Sequence, residues 1–321
     1  MFSFSRMITS VSAALALASV SSVLAVPIAK QTAPLVSRAT IPSPAFVIYT
    51  DRFVSADVLP PVAELAGWNV AALSFLTLQG ALDQAGAYAA LAPEVRAAKK
   101  AEYNNAGINI IVSAFGETDK PTSQGADPVG TANTFAQFVL NNQLDGIDVD
   151  YEDLDAMNRG DGAAEQWVST FTSTLRQTLP QGQFILSHAP LAPWLSPNAQ
   201  FAAGAYLTIH KNVGSLIDFY NIQFYNQGLY TDCAGLIDAA GAPFAGSALF
   251  EIANNGVDLN KLVIGKPGGV TDATNGFMDP ATLGQCVAQA AARGWNGGIM
   301  AFQFPNANAD WIRAAKGGAF A

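Results

Sequence analysis

Histidine is nearly absent from this 321-residue chain, which has 2, and cysteine is equally scarce at 2. Neither type forms a ligand spacing with the other, so a structural zinc site is not expected. Charge is also thin, at 13% Asp, Glu, Lys and Arg, and the basic side is the poorer, with 16 Lys and Arg against 25 Asp and Glu. A net charge of -9 leaves no basic stripe for phosphates, which argues against nucleic-acid partners and against anionic membrane surfaces. The sequence contains no Asn-x-Ser/Thr triplet, so N-glycosylation is not expected. A Gly-x-Gly-x-x-Gly turn after the first strand-like run is missing too, which removes the main argument for a dinucleotide fold. What is abundant is apolar residues, at 50%, and with so little charge the chain is expected to fold rather than remain disordered.

At the N-terminus Arg6 precedes an apolar run interrupted by Ser and Thr, and small residues end at Ala25. This pattern predicts a secretory signal in residues 1–25 and places the mature protein outside the cell or in the cell wall. Residues 26–45 carry four prolines and read as an exposed leader. An even cysteine count in an oxidising compartment predicts one disulfide, Cys233 to Cys286.

From residue 46 onward, short runs rich in β-formers recur at 46–50, 70–77, 108–114, 146–151, 183–189, 218–225, 261–266 and 297–304. Helical patterns fill the intervals, at 88–104, 131–142, 164–178 and 281–293 among them. Strands that alternate with helices and lack period-2 polarity are parallel and buried on both faces. Eight such units predict a single (β/α)8 barrel over residues 46–321, with a doubly wound open sheet as the competitor.

The fourth run is the most informative. It reads Asp145-Gly146-Ile147-Asp148-Val149-Asp150-Tyr151-Glu152, and strand alternation puts Asp148, Asp150 and Glu152 on one face. Carboxyl groups crowded inside a barrel raise at least one pKa, leaving a protonated acid near neutral pH. Glu152, outermost and nearest the mouth, is the natural proton donor. Two other readings compete. An EF-hand loop starting at Asp148 fails, because Asp153 and Arg159 stand where Gly and Glu are needed, although a looser carboxylate cage for a cation stays open. A solvated acidic loop is disfavoured by the interleaved Ile147 and Val149.

The same eight residues match the Asp-Gly-x-Asp-x-Asp-x-Glu signature of family 18 glycoside hydrolases, the chitinases and endo-β-N-acetylglucosaminidases. Gln223-Phe224-Tyr225-Asn226 resembles their sixth-strand motif, and His188-Ala189-Pro190-Leu191-Ala192-Pro193 resembles their fifth-strand turn. The resemblance spans roughly residues 46–313. It implies a metal-free, cofactor-free enzyme, taken as a monomer, acting on β-1,4-linked N-acetylglucosamine polysaccharide or, alternatively, on the chitobiose core of N-glycans. By that analogy Glu152 protonates the glycosidic oxygen, Asp150 binds the acetamido N–H, Asp148 behind it shares a proton, and Tyr225 orients the acetamido oxygen. Tyr49, Gln223 and Asn226 are candidates for the pocket, with packing roles equally open for Tyr49 and Asn226. Trp194 is either a sugar platform or a helix cap. The tryptophans Trp68, Trp167, Trp295 and Trp311 read as core.

Two departures stand out. The third-strand Ser-x-Gly-Gly appears as Ser113-Ala114-Phe115-Gly116, and Phe302 occupies the eighth-strand position where the family usually has the Trp under the sugar. Phe offers less stacking area. A catalytically silent sugar-binding protein on the same barrel therefore stands as a further alternative, although lectin-like relatives commonly lose the terminal acid that Glu152 retains here.

Overall fold

A computed structural model describes residues 41–52 and 58–320, within the unit Ser37–Ala321. The expected signal segment lies outside the described residues, as does most of the expected leader. Each of the eight apolar runs becomes a strand: β1 (Ala45–Thr50), β2 (Val70–Thr77), β3 (Asn109–Phe115), β4 (Gly146–Asp150), β5 (Ile185–His188), β6 (Phe219–Gln223), β7 (Leu262–Pro267) and β8 (Gly298–Phe302). Each pairs in parallel with the next, and β8 pairs with β1, so the sheet closes on itself. A two-residue strand, Gly80–Ala81, folds back antiparallel on the end of β2. This is a single (β/α)8 barrel.

The lack of alternation now has its cause. Val47, Val70, Ala72, Ile111, Ile185, Val263 and Met300 form one buried cluster inside the barrel, while Ile48, Ala71, Ile110, Val112, Ile147, Val149 and Ile264 belong to a second, between strands and helices. Both faces of every strand are dry, so both need apolar residues.

The surrounding helices are α1 (Asp83–Ala89), α2 (Pro93–Asn105), α3 (Pro128–Asn141), α4 (Leu154–Asn158), α5 (Ala163–Thr178), α6 (Ala205–Val213), α7 (Leu249–Asn254), α8 (Pro280–Ala291) and α9 (Ala309–Ala315). The helix expected at 88–104 is two helices instead. Pro93 takes the first position of α2, and Ala92 before it is extended at φ -59, ψ 145. Proline disfavours helical backbone in its predecessor, so the break falls there.

Trp68, Trp167, Trp295 and Trp311 are all buried, as expected. Cys233 and Cys286 are joined, tying a helical turn at Ala234–Asp238 to α8 across 53 residues. Among the described residues no helix is long and apolar enough to cross a membrane.

Candidate active site

Strand register builds the floor of the site. Ser113 on β3 lies beside Asp148 on β4, and Asp148 lies beside Ser187 on β5, forming one row across the barrel. Asp148 is fully buried and accepts from Tyr49 Oη at 2.6 Å, Ser113 Oγ at 3.0 Å, Ser187 Oγ at 2.6 Å and Asn221 Nδ2 at 3.0 Å. Burial raises its carboxyl above the usual range, and the four donors offset part of that rise. A carboxylate with two donors on each oxygen has its acceptor capacity filled, the arrangement that holds an ionised acid in a dry barrel. Asp148 thus stands behind Asp150 with every side-chain donor around it spent on its own two oxygens. Tyr49, on β1, supplies one of those donors, and burial first, then Asp148, raises its phenol far above the usual range.

The start of the strand is equally specified. Asp145 accepts from the Ile110 amide at 2.7 Å and pairs with Lys100, so it shapes the strand's beginning. Gly146 is required at the next position, because a Cβ there would stand 2.0 Å from the Ile185 carbonyl oxygen.

The alternation continues past the end of β4. Ile147, Val149 and Tyr151 face the helices, with the Tyr151 ring 6.0 Å from Trp167, and Asp148, Asp150 and Glu152 take the other side. Asp150 and Glu152 hydrogen-bond each other, and the single amide Gln223 Nε2 on β6 reaches both, at 3.0 Å and 3.3 Å, as well as the Ala189 carbonyl at 3.1 Å. Two acids in hydrogen-bond contact hold one proton between them. Burial, then the charges of Glu152 and Asp148, push Asp150 up. Burial, helped by Glu117, pushes Glu152 up to about 7. The loop beyond is fixed by Asp153, which caps α4 through the Ala156 amide at 3.1 Å and binds the Ser123 amide and hydroxyl, each at 2.6 Å.

Tyr225 follows β6 by two residues and belongs to the inner cluster. Burial, then Asp150, Glu152 and Asp148, keep its phenol protonated, which makes it a donor at neutral pH. Phe302 at the end of β8 is partly exposed, packs on the inner cluster and tilts 58° to the Tyr49 ring at 6.0 Å.

For two candidates whose roles were open, the structure shows the partners. Trp194 is 1% exposed and lies flat on Tyr206 of α6, with centroids 5.9 Å apart and planes 2° apart, so it is packing in the outer layer and offers no face to a sugar. Asn226 is exposed but its side-chain oxygen accepts from the amide and hydroxyl of Thr274, at 2.8 Å and 2.9 Å, and so ties together the loops after β6 and β7.

Several residues at the site carry no motif of their own. Ser187 and Asn221 are legible only through strand register. Phe75, partly exposed, lies 3.1 Å from where a Gly116 side chain would be, over the third-strand turn. In that turn Phe115 occupies the first Gly position with φ 78, a left-handed backbone unusual for a bulky residue. Its ring holds it there, packed 5.3 Å from Phe135, 5.6 Å from Trp167 and 5.3 Å from Phe171. Among the described residues no group of three or more His, Cys, Asp or Glu is placed to hold a metal ion.

Fold and site together define a (β/α)8 barrel in which the fourth strand and the residues just beyond it line up three carboxyl groups from the buried floor toward the mouth. Its structural neighbours include family 18 glycoside hydrolases, and the chain has the fold of that family. A family 18 chitinase from Pseudoalteromonas aurantia is 27% identical with a TM-score of 0.67, over 85% of this chain and 99% of that one. A fungal family 18 endo-β-N-acetylglucosaminidase superposes at a TM-score of 0.62 and 16% identity, over 85% and 96% of the two chains. The same fold appears in a xylanase and α-amylase inhibitor protein from Scadoxus multiflorus, at a TM-score of 0.57 and 19% identity over 86% and 99%. No protein-family model and no curated protein matches the chain.

Proposed function

We propose that this protein is a secreted, retaining glycoside hydrolase that cleaves β-1,4 linkages beside N-acetylglucosamine with help from the substrate's own acetamido group. The observation that carries this reading is the Asp150–Glu152 pair, two acids in contact under one Gln223 amide, with Glu152 raised to about 7. A carboxyl group still protonated near neutral pH at a barrel mouth is equipped to protonate a leaving oxygen.

In the first step Glu152 gives its proton to the glycosidic oxygen as the C1–O bond breaks. The acetamido oxygen attacks C1 and closes an oxazolinium ring, so the positive charge passes onto the acetamido group. Asp150, freed of the shared proton, accepts the acetamido N–H and faces that charge at short range. Asp148 cannot take this role, because all its lone pairs are committed. Tyr225 donates to the acetamido oxygen and sets its line of attack. In the second step Glu152, now a carboxylate, takes a proton from water as it opens the ring at C1.

Chitin or chito-oligosaccharides are the preferred substrates, and the chitobiose core of N-glycans is the second. Secretion accords with the Cys233–Cys286 disulfide. The test is mass spectrometry of products from the wild type and Glu152→Gln, incubated with an N-acetylglucosamine pentamer and with a high-mannose glycoprotein. Shorter oligomers from the wild type alone support the chitinase reading. A released glycan that leaves one N-acetylglucosamine on the protein supports the endoglycosidase. No wild-type product from either substrate overturns the enzyme reading in favour of a binding protein.

A further inference from the structure

Lys266 on β7 is fully buried and faces no carboxylate among the described residues. Its ammonium instead donates to three backbone carbonyls, Phe224 at 2.9 Å, Tyr230 at 2.7 Å and Gly276 at 2.9 Å. Burial alone pulls a lysine toward its neutral form, here to about 7. A neutral amine has two N–H groups, so only the ammonium serves all three oxygens. Burying a charge without a counter-ion is expensive, and an apolar residue would fill the space at lower cost. The three acceptors explain what the charge does there.

Phe224 lies between Gln223, which binds Asp150 and Glu152, and Tyr225. Gly276, in the loop after β7, packs directly against Tyr225, since a Cβ on it would stand 2.6 Å from Tyr225 Cα and 2.8 Å from its Cβ. The Asn226 amide then donates to Asn275 O at 3.2 Å, which joins the same two loops. Lys266 thus fixes the backbone just before Tyr225 and the backbone packed against it.

We infer that Lys266 is a positioning residue for Tyr225, holding the loops after β6 and β7 at the spacing that aims the phenol at the acetamido oxygen. The inference rests on the proposed hydrolase reading, and its test separates the two. The measurement is a double-mutant cycle of Lys266→Met and Tyr225→Phe, with kcat and KM on an N-acetylglucosamine pentamer. Lys266→Met is expected to lower kcat about 10- to 100-fold with KM little changed, the size of effect that misplacement of a reacting group by about 1 Å produces. In the Tyr225→Phe background the same change is expected to cost less than about threefold, because the group being aimed is gone. Lys266→Gln keeps two N–H donors and is expected to fall between wild type and Met, and it serves in the cycle if Lys266→Met fails to fold. Equal losses in both backgrounds overturn the inference, since a general loss of stability does not depend on the Tyr225 hydroxyl. Hydrogen exchange supplies a reading that needs no activity. Faster exchange confined to residues 224–230 and 274–276 in Lys266→Gln supports the clamp, and unchanged exchange there overturns it. If the wild type neither cuts nor binds the pentamer, the hydrolase reading falls while the exchange comparison still decides whether Lys266 holds these loops.

Discussion

Replacing Asp148 by Asn separates the electrostatic role of the buried acid from its structural one. The carboxylate binds Tyr49 and Ser113 on one oxygen and Ser187 and Asn221 on the other. An amide turns one oxygen into a donor. The serine hydroxyls can rotate to accept, so whichever side the nitrogen takes, one stiffer donor, the Tyr49 phenol or the Asn221 amide, loses its acceptor. A stranded donor costs about 1–3 kcal/mol. Against this, removing the charge relieves its repulsion of the Asp150–Glu152 pair. Asp148 and Asp150 are two residues apart on one strand, about 6.6 Å along the chain. At an effective dielectric constant near 20 their repulsion is about 2.5 kcal/mol. The two effects nearly cancel, so we predict that the unfolding free energy changes by no more than about 1 kcal/mol. Catalysis has no such cancellation. With Asp148 neutral, Asp150 loses a charge that helps raise it, so the pair gives up its proton more readily and the alkaline limb of kcat/KM moves to lower pH. The repulsion corresponds to a displacement of about one to two pH units. Initial rates on a fluorogenic N-acetylglucosamine oligomer between pH 4 and 9 read the limb, and thermal melting reads stability. A limb that stays at its wild-type position would mean that Asp148 carries no charge in the free enzyme, and the reasoning would fail.

Three further outcomes follow from the same geometry. The Glu152 carboxyl is raised to about 7 in the folded barrel, so the folded state holds a proton that the unfolded chain releases above its ordinary value of 4.5. The stability this proton supplies is complete below that value and is lost as pH rises through 7, by up to about 3 kcal/mol. Glu152→Gln escapes the loss, so its melting temperature should exceed that of the wild type more at pH 8 than at pH 5, and an equal difference at both would contradict the raised acid. Gly276→Ala puts a methyl group into Tyr225 at a φ of +91, so kcat on the pentamer should fall about 10- to 100-fold. A wild-type kcat would show that Tyr225 does not need its present position. Phe302→Trp enlarges the ring beside Tyr49 and should tighten oligomer binding, by about 0.5–1.5 kcal/mol in a titration, whereas unchanged affinity would remove Phe302 from the sugar floor.

The eight strands were legible because each is buried on both faces and writes a continuous apolar run, which the regular helices between them frame. The break at Pro93 was written in the sequence too, since proline acts on its predecessor whatever lies around it. The carboxylate row could be read from one strand alone, because alternation is a local property. What that row touches could not. Ser113 and Ser187 meet Asp148 only because β3, β4 and β5 align in one register, and Asn221 arrives from a strand 73 residues further along. Trp194 looked like a loop aromatic near a barrel mouth, but whether such a ring faces sugar or a neighbouring helix depends on α6 folding back beneath it. Lys266 gave no signal because its partners are backbone carbonyls, which every residue has.

The fold alone cannot decide what this barrel does, since it superposes on hydrolases and on a xylanase and α-amylase inhibitor protein alike. The cost of the site bears on the choice. Asp148 and Asp150 are buried in the barrel with Glu152 close above them, and burial heads the causes that raise all three. Each such acid weakens the fold unless it is matched by donors, and a barrel that only bound sugar would gain stability from apolar or amide residues at these positions. Here the matching is selective. Asp148 receives four donors, as an ion kept for good would need, whereas Asp150 and Glu152 share one amide and one proton. That second pair is left poorly satisfied at neutral pH, a state with no benefit to folding, and this is what favours the proposed hydrolase over a barrel that only binds sugar.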